Sequence, residues 1–185
     1  MPKMEITETL MATQRDEWRQ WLMQHHATAT EIWLVSYTTA SGKPSISYLH
    51  AVEEALCFGW IDGIKKKTVD EHLAQRFTPR KPNSHWTELN KERARRLIAS
   101  GQMTEAGLAT LPDLSLDTFG IADDIRAALQ ADAQVWANFQ QFPDVYHRIR
   151  ITYIELVRDQ PDEFEKRLEK LVEKTRRNKM FGGIE

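Results

Sequence analysis

Arginine, aromatic and amide side chains are concentrated between residues 60 and 93 of this chain. Arginines brought together by the fold repel one another unless carboxylates or a bound anion supply negative charge. Asp62 is one such carboxylate, and it is also the candidate for a general acid or base in this segment. The predicted ligand-binding residues are Trp60, Asp62, Arg76, Arg80, Ser84, Trp86, Asn90 and Arg93.

Each of these side chains also has a purely structural interpretation. Ser84 can cap the helix that follows it, and Arg93 can extend past an apolar stripe or pair with a carboxylate such as Asp62. The same helix start, flanked by arginines, is also a suitable anion site because free N–H groups and guanidiniums converge there. The residues alone leave both interpretations open.

A helix and a β-hairpin must position the first of these residues. Residues 48–58 carry apolar side chains at helical spacing and are followed by Gly59, which is typical of a helix with a glycine cap. Residues 60–68 and 73–79 flank a short polar turn, and the second run alternates in character, which predicts two antiparallel strands. The hairpin would place Asp62 next to the loop that follows the second strand.

A second helix is predicted from residue 86 to residue 100. Asn90 and Arg93 share an arc of about 100° with its apolar residues, so we expect both to face the strand that carries Asp62. If even-numbered hairpin positions pair with even-numbered ones, Asp62 also lies on the same face as Arg76. This arrangement would gather the arginines around one carboxylate.

The fold class predicted for the whole chain is α+β, with a small, mainly antiparallel sheet and a helical C-terminal module. Residues 1–111 form the α+β module, residues 112–122 a linker with poor periodicity, and residues 123–185 the helical module. Helices of the last module are predicted at residues 123–130, 134–141, 144–159 and 162–178.

Composition narrows the function classes. The chain has 185 residues, with 25 basic and 27 acidic side chains, which argues against a nucleic-acid partner. Residues 62–100 are nevertheless basic, with ten cationic and five anionic side chains. A single cysteine, Cys57, excludes an intramolecular disulfide, and the scattered histidines predict no metal site and no cofactor. We expect Cys57 to be buried and unreactive.

The sequence also favours a cytoplasmic protein without membrane insertion. No apolar run approaches the roughly 18–20 residues that span a bilayer. Glu5 and Glu8 stand where a signal peptide would carry basic and apolar residues.

Several blocks resemble the signature of the YdeI/OmpD-associated family, also called bacteriocin-protection proteins. The blocks are residues 51–63, residues 76–86, Asn90 with Arg93, and residues 101–107. The resemblance covers roughly residues 30–110 and is looser in the C-terminal helices. It implies a link to bacteriocin or cationic-peptide tolerance and to an outer-membrane porin, with no reaction attached.

The residues and the resemblance together give a ranked set of functions. The first is a module that binds a small molecule or anion and contributes to bacteriocin or envelope-stress tolerance, because the resembling residues are polar, aromatic and cationic rather than aliphatic. The second is a protein-interaction domain without a ligand. The third is an enzyme that uses Asp62 as acid or base in the same pocket, and a nucleic-acid binder ranks last.

Overall fold

The α+β class is confirmed by the computed structural model, which describes residues 5–38, 41–68, 70, 72–117 and 119–184. Within these residues the elements, in chain order, are β1 (Thr9–Met11), α1 (Arg15–His25), β2 (Ile32–Ser36), α2 (Tyr48–Cys57), β3 (Trp60–Lys67), β4 (Leu73–Pro79), α3 (Glu88–Ala99), α4 (Glu105–Leu108), α5 (Asp123–Gln130), α6 (Ala133–Gln141), α7 (Asp144–Glu155) and α8 (Pro161–Arg176). Every predicted helix and strand named above has a counterpart among them.

The chain divides into two compact units. The first comprises the residues up to Ser84 together with Arg93–Pro112, and the second comprises His85–Glu92 together with the residues from Asp113 onward. The division therefore falls inside helix α3. Residues 85–92, which the sequence analysis placed in the first module, group with the second unit, and the predicted linker at 112–122 stays a prediction.

The first unit contains a four-stranded mixed sheet with the strand order β1-β2-β4-β3. Strand β1, which was not predicted, pairs in parallel with β2, and the other two pairings are antiparallel. The sheet is therefore mainly antiparallel, as predicted. Four consecutive residues of β2, from Ile32 to Val35, are buried, as expected for a central strand covered on both faces.

The register of the hairpin differs from the even-with-even pairing considered above. Asp62 lies opposite Phe77 and Ile61 lies opposite Thr78. Residues directly opposite each other share a face, and neighbours along a strand point to opposite faces. Asp62 and Arg76 therefore lie on different faces of the sheet. A shift of register after Asp62 places Lys65 opposite Gln75.

The second unit has its own apolar core, which its helices build around α8. Leu171 of α8 is fully buried together with Ile125 of α5, Phe139 of α6 and Tyr146 of α7. Asp132 caps α6, because its carboxylate accepts from the Gln134 N–H at 2.9 Å. Among the parts of the chain that the structure describes, no helix is both long and apolar enough to cross a membrane.

Candidate anion-binding site

Asp62 lies at the centre of a group of polar side chains in the first unit. The Tyr48 hydroxyl donates to Asp62 Oδ2 at 2.7 Å. Arg80 and Arg93 are both buried, and the Asp62 charge acts on both of them. Glu53 contributes a second negative charge near Arg93. We call Tyr48, Asp62, Arg80 and Arg93 the Asp62 cluster.

Four separate elements supply the Asp62 cluster. Tyr48 is the first residue of α2, and Asp62 is the third residue of β3, just before the shift of register. Arg80 directly follows β4, and its backbone N–H donates to the Gly59 carbonyl at 2.8 Å, which fixes the start of the loop. Arg93 lies on α3. The hairpin and two helices therefore meet at this point.

Burial dominates the electrostatics of the Asp62 cluster. Removal from water lowers the pKa of Arg80 to about 10, and the opposing effect of Asp62 is smaller. Burial also lowers the pKa of Arg93, against the charges of Tyr48, Glu53 and Asp62. For Tyr48, burial and the bond to Asp62 raise the pKa to about 12. At neutral pH the four side chains thus comprise two cations, one anion and a neutral phenol.

Arg76 and Trp60 lie outside the Asp62 cluster. The Arg76 Nε donates to Glu31 Oε2 at 2.8 Å, so this arginine has a protein carboxylate of its own on the other face of the sheet. Trp60 is buried in the core, where its indole N–H donates to the His26 carbonyl at 3.2 Å. The expected group of three guanidiniums is therefore reduced to two, because the hairpin register turns Arg76 away.

Ser84 does not cap helix α3, contrary to the sequence-based expectation. Its hydroxyl accepts from the Lys81 N–H at 3.0 Å and closes a turn within the loop. The helix starts four residues after Ser84, and the Thr87 hydroxyl accepts from the Asn90 N–H at 3.2 Å. The Thr87 hydroxyl therefore satisfies a backbone N–H in the first turn of the helix. Ser84 is not assigned to the Asp62 cluster.

Asn90 and Arg93 were predicted to act together, and the structure places them in different units. Arg93 belongs to the first unit, and the charge of Asp62 acts on it. Trp86 and Asn90 lie in His85–Glu92, which groups with the second unit. Neither is assigned to the Asp62 cluster.

Comparison with known protein families gives two matches that together cover most of the chain. Residues 10–110 match a family described as a domain of unknown function, DUF8412, which is more than half of the chain. The chain belongs to the DUF8412 family. Residues 118–178 of this DUF8412 protein match a second family, described as bacteriocin-protection, YdeI or OmpD-associated.

The predicted relationship to the YdeI/OmpD-associated family is confirmed, but its location differs. The match covers α5 to α8, where the resemblance was judged looser. The blocks at 51–63 and 76–86, which carried the resemblance, lie within the DUF8412 match. Neither the curated proteins nor the solved structures contain a significant match to this chain.

Tyr48 is the member of the Asp62 cluster that the sequence analysis missed. Its helical spacing in the sequence indicates only an apolar position of α2. The Lys65 ammonium also lies 4.2 Å from the centre of the Tyr48 ring, a cation–π contact that adds positive charge beside the cluster. Tyr48 and Lys65 are far apart in the sequence, and their contact depends on how α2 packs on the hairpin. No local sequence pattern therefore predicts it.

Cys57 is buried, as predicted for an unreactive thiol. Burial, together with the nearby charge of Glu54, raises the pKa of the Cys57 thiol to about 11. The nucleophilic thiolate is therefore scarce at neutral pH. Cys57 is part of the packing around α2 and not of the Asp62 cluster.

Proposed function

We propose that this DUF8412 protein binds a small anion at the Asp62 cluster. The observation that carries the proposal is the burial of two guanidiniums, Arg80 and Arg93, around one central carboxylate. Glu53, the further acid near Arg93, also pairs with Arg15 at 2.9 Å. A small anion that reaches these two guanidiniums would accept charge-assisted hydrogen bonds, which are stronger than neutral ones.

The pairing of two buried guanidiniums favours a compact anion that carries several oxygens. Guanidinium groups donate in a fixed fork that matches the oxygens of phosphate or carboxylate. We assign Asp62 to this site as a counter-ion that positions the arginines.

Thermal unfolding with inorganic phosphate at fixed ionic strength tests this proposal. Phosphate should raise the Tm saturably, by about 3–6 °C at roughly ten times its Kd, because ligand binding to the native state adds about 1.4 kcal/mol of stability. Arg80→Met keeps an unbranched apolar stem and removes the guanidinium, so it should abolish most of this increment. The increment, and not the starting Tm, is the measured quantity.

Arg76→Met is the matched control for the phosphate experiment. It also removes one guanidinium, but from the opposite face of the sheet and from a pair with Glu31. The control should keep the full phosphate increment. Equal increments in wild type, Arg76→Met and Arg80→Met would contradict binding at the Asp62 cluster.

We further propose that anion binding serves tolerance of bacteriocins or cationic peptides. The support is the second family match, whose description names bacteriocin protection. Expression of the wild-type chain in a sensitive bacterium should raise the inhibitory concentration of a cationic peptide, and Arg80→Met should lose most of this gain at equal expression. Equal protection by the wild-type chain and by Arg80→Met, or no protection by either, would contradict the link.

A further inference from the structure

We propose that the second unit binds small organic anions with an apolar body in a cleft between α7, α8 and the segment 181–183. The cleft has a volume of about 600 Å³, and all the residues that line it belong to the second unit. This volume lies within the range of about 300–1,000 Å³ that is typical of small-molecule sites. The inference is independent of the proposed function, because it concerns other residues in another unit.

Arg150 of α7 supplies the central charge of the cleft. Its side chain lines the cleft although the residue is only 8% exposed. One amino group, Nη2, donates to the Gly183 carbonyl at 3.0 Å, while the buried Nε has no acceptor among the described residues. In the part of the chain that the structure describes, the groups that act electrostatically on Arg150 are the phenols of Tyr146 and Tyr153. Its positive charge thus lacks a carboxylate partner there.

A neighbouring arginine on the same helix has carboxylates that neutralise its charge. Arg148 lies two residues before Arg150 and pairs with Glu92 at 3.0 Å and with Glu88 at 3.6 Å. A buried cation without such a partner is costly. The Nε of Arg148 also has no hydrogen-bond acceptor among the described residues, so the two arginines differ in their carboxylate partners. A bound anion at Arg150 would supply the charge that Glu88 and Glu92 supply at Arg148.

Two lysines add to the positive charge of the cleft. Lys170 and Lys174 lie one turn apart on α8, and both line the cleft. Glu88 is the acidic residue in the lining, and its carboxylate lies 3.6 Å from the Arg148 guanidinium. The cleft therefore attracts anions more strongly than cations.

The remaining walls of the cleft are largely apolar and fix the position of the guanidinium. The Phe181 ring lies 5.3 Å from the Arg150 guanidinium, and Leu156 and Ile149 contribute aliphatic surface. Gly182 has a φ of +70°, and a Cβ there would lie 2.6 Å from Arg150 Nη1. The glycine thus allows the backbone to lie directly against the charge. A ligand with an anionic head and an apolar body matches this combination.

Calorimetric titration with 3-phenylpropionate tests the inference, with 3-phenylpropionamide as the neutral control of the same shape. The carboxylate should bind saturably at one site per chain, and the amide should bind at least about tenfold more weakly, because it cannot neutralise Arg150. Inorganic phosphate should compete poorly, since it leaves the apolar walls exposed. Equal affinity for acid and amide, or tight competition by phosphate, would overturn the inference.

Variants locate the binding site within the second unit. Arg150→Met should weaken 3-phenylpropionate binding about tenfold or more, and Lys170→Met with Lys174→Met should weaken it about fivefold. Lys166→Met is the matched control, because Lys166 lies on the same helix but outside the cleft. If Arg150→Met does not fold, the lysine variants still decide the question. Binding that all of these variants leave unchanged would refute the site.

Arg80→Met separates this inference from the proposed function. It should leave 3-phenylpropionate binding unchanged, because Arg80 belongs to the first unit. Loss of 3-phenylpropionate binding in Arg80→Met, with full binding in Arg150→Met, would assign the carboxylate to the Asp62 cluster and overturn the second site.

Discussion

Replacing Gly107 by alanine should destabilise the first unit by about 2 kcal/mol. A Cβ at this position would lie 2.4 Å from the Cys57 carbonyl oxygen and 2.5 Å from the Met103 sulfur. The carbonyl belongs to the backbone at the end of α2, and the Thr104 N–H also donates to it at 3.2 Å. Alanine gains about 1 kcal/mol in helix propensity over glycine, but overpacking against backbone costs about 1–3 kcal/mol or more.

Urea unfolding followed by tryptophan fluorescence measures this effect. Gly63→Ala is the control in the same unit, since a Cβ there would lie 3.7 Å from the nearest atom, an ordinary contact. The control should change the free energy of unfolding by less than about 0.5 kcal/mol. A Gly107→Ala variant as stable as the wild type would mean that α4 does not pack this closely on the end of α2.

Glu54→Gln should cost about 3 kcal/mol of stability, somewhat more than Gly107→Ala. Glu54 is 1% exposed, and its carboxylate pairs with the guanidiniums of Arg15 and Arg19, the second at 2.6 Å. Removing one member of a buried ion pair leaves the remaining charges poorly compensated, which costs about 3–5 kcal/mol. The two arginines are partly exposed, so water limits the loss to the lower end of this range.

Glu53→Gln is the matched control for Glu54→Gln, because the two residues are neighbours on α2. Glu53 is more exposed and pairs with Arg15 alone among the ion pairs described. Its replacement should cost less than about 1 kcal/mol. Equal losses in the two variants would show that burial does not distinguish these carboxylates.

Cys57 provides a second readout for the same substitution. The charge of Glu54 raises the pKa of the Cys57 thiol, so Glu54→Gln should lower that pKa. The pKa falls because a nearby negative charge disfavours the thiolate, and the substitution removes that charge. A pH titration followed by the ultraviolet absorbance of the thiolate should therefore give a lower pKa for Cys57 in Glu54→Gln than in Glu53→Gln.

The sequence predicts the elements of this fold better than their relative placement. The strands of the hairpin, β3 and β4, are found at the predicted residues, and α5 lies at 123–130 as predicted. Their apolar spacing and their flanking glycines and prolines are local signals. Strand β1 has only three residues and pairs with β2 far along the chain, so it carries no such signal.

The hairpin register could not be predicted, for a physical reason. Strand β3 carries Lys65, Lys66 and Lys67, and much of it is exposed. A strand without a continuous apolar face does not specify which residues it places opposite its partner. The position of Arg76 relative to Asp62 depended entirely on that register, so the membership of the cluster was only partly predictable.

The cleft of the second unit was invisible to sequence reasoning for a different reason. Lys170 and Lys174 are one helical turn apart on a strongly charged helix, where lysines usually face solvent. Arg150 lies on another helix, and nothing local distinguishes it from Arg148. Only the packing of α7, α8 and the last residues separates the paired arginine from the arginine of the cleft.

The strand order of the sheet also bears on how copies of this protein meet at high concentration. Among the residues that the structure describes, its outer strands are β1 and β3, and edge strands are where a further strand can add to a sheet. The first is too short to serve as a template, and the second repels an identical strand through three consecutive lysines. The apolar strand β2 is held between other strands and is removed from contact with other chains. The fold thereby protects its most aggregation-prone segment with its most highly charged one.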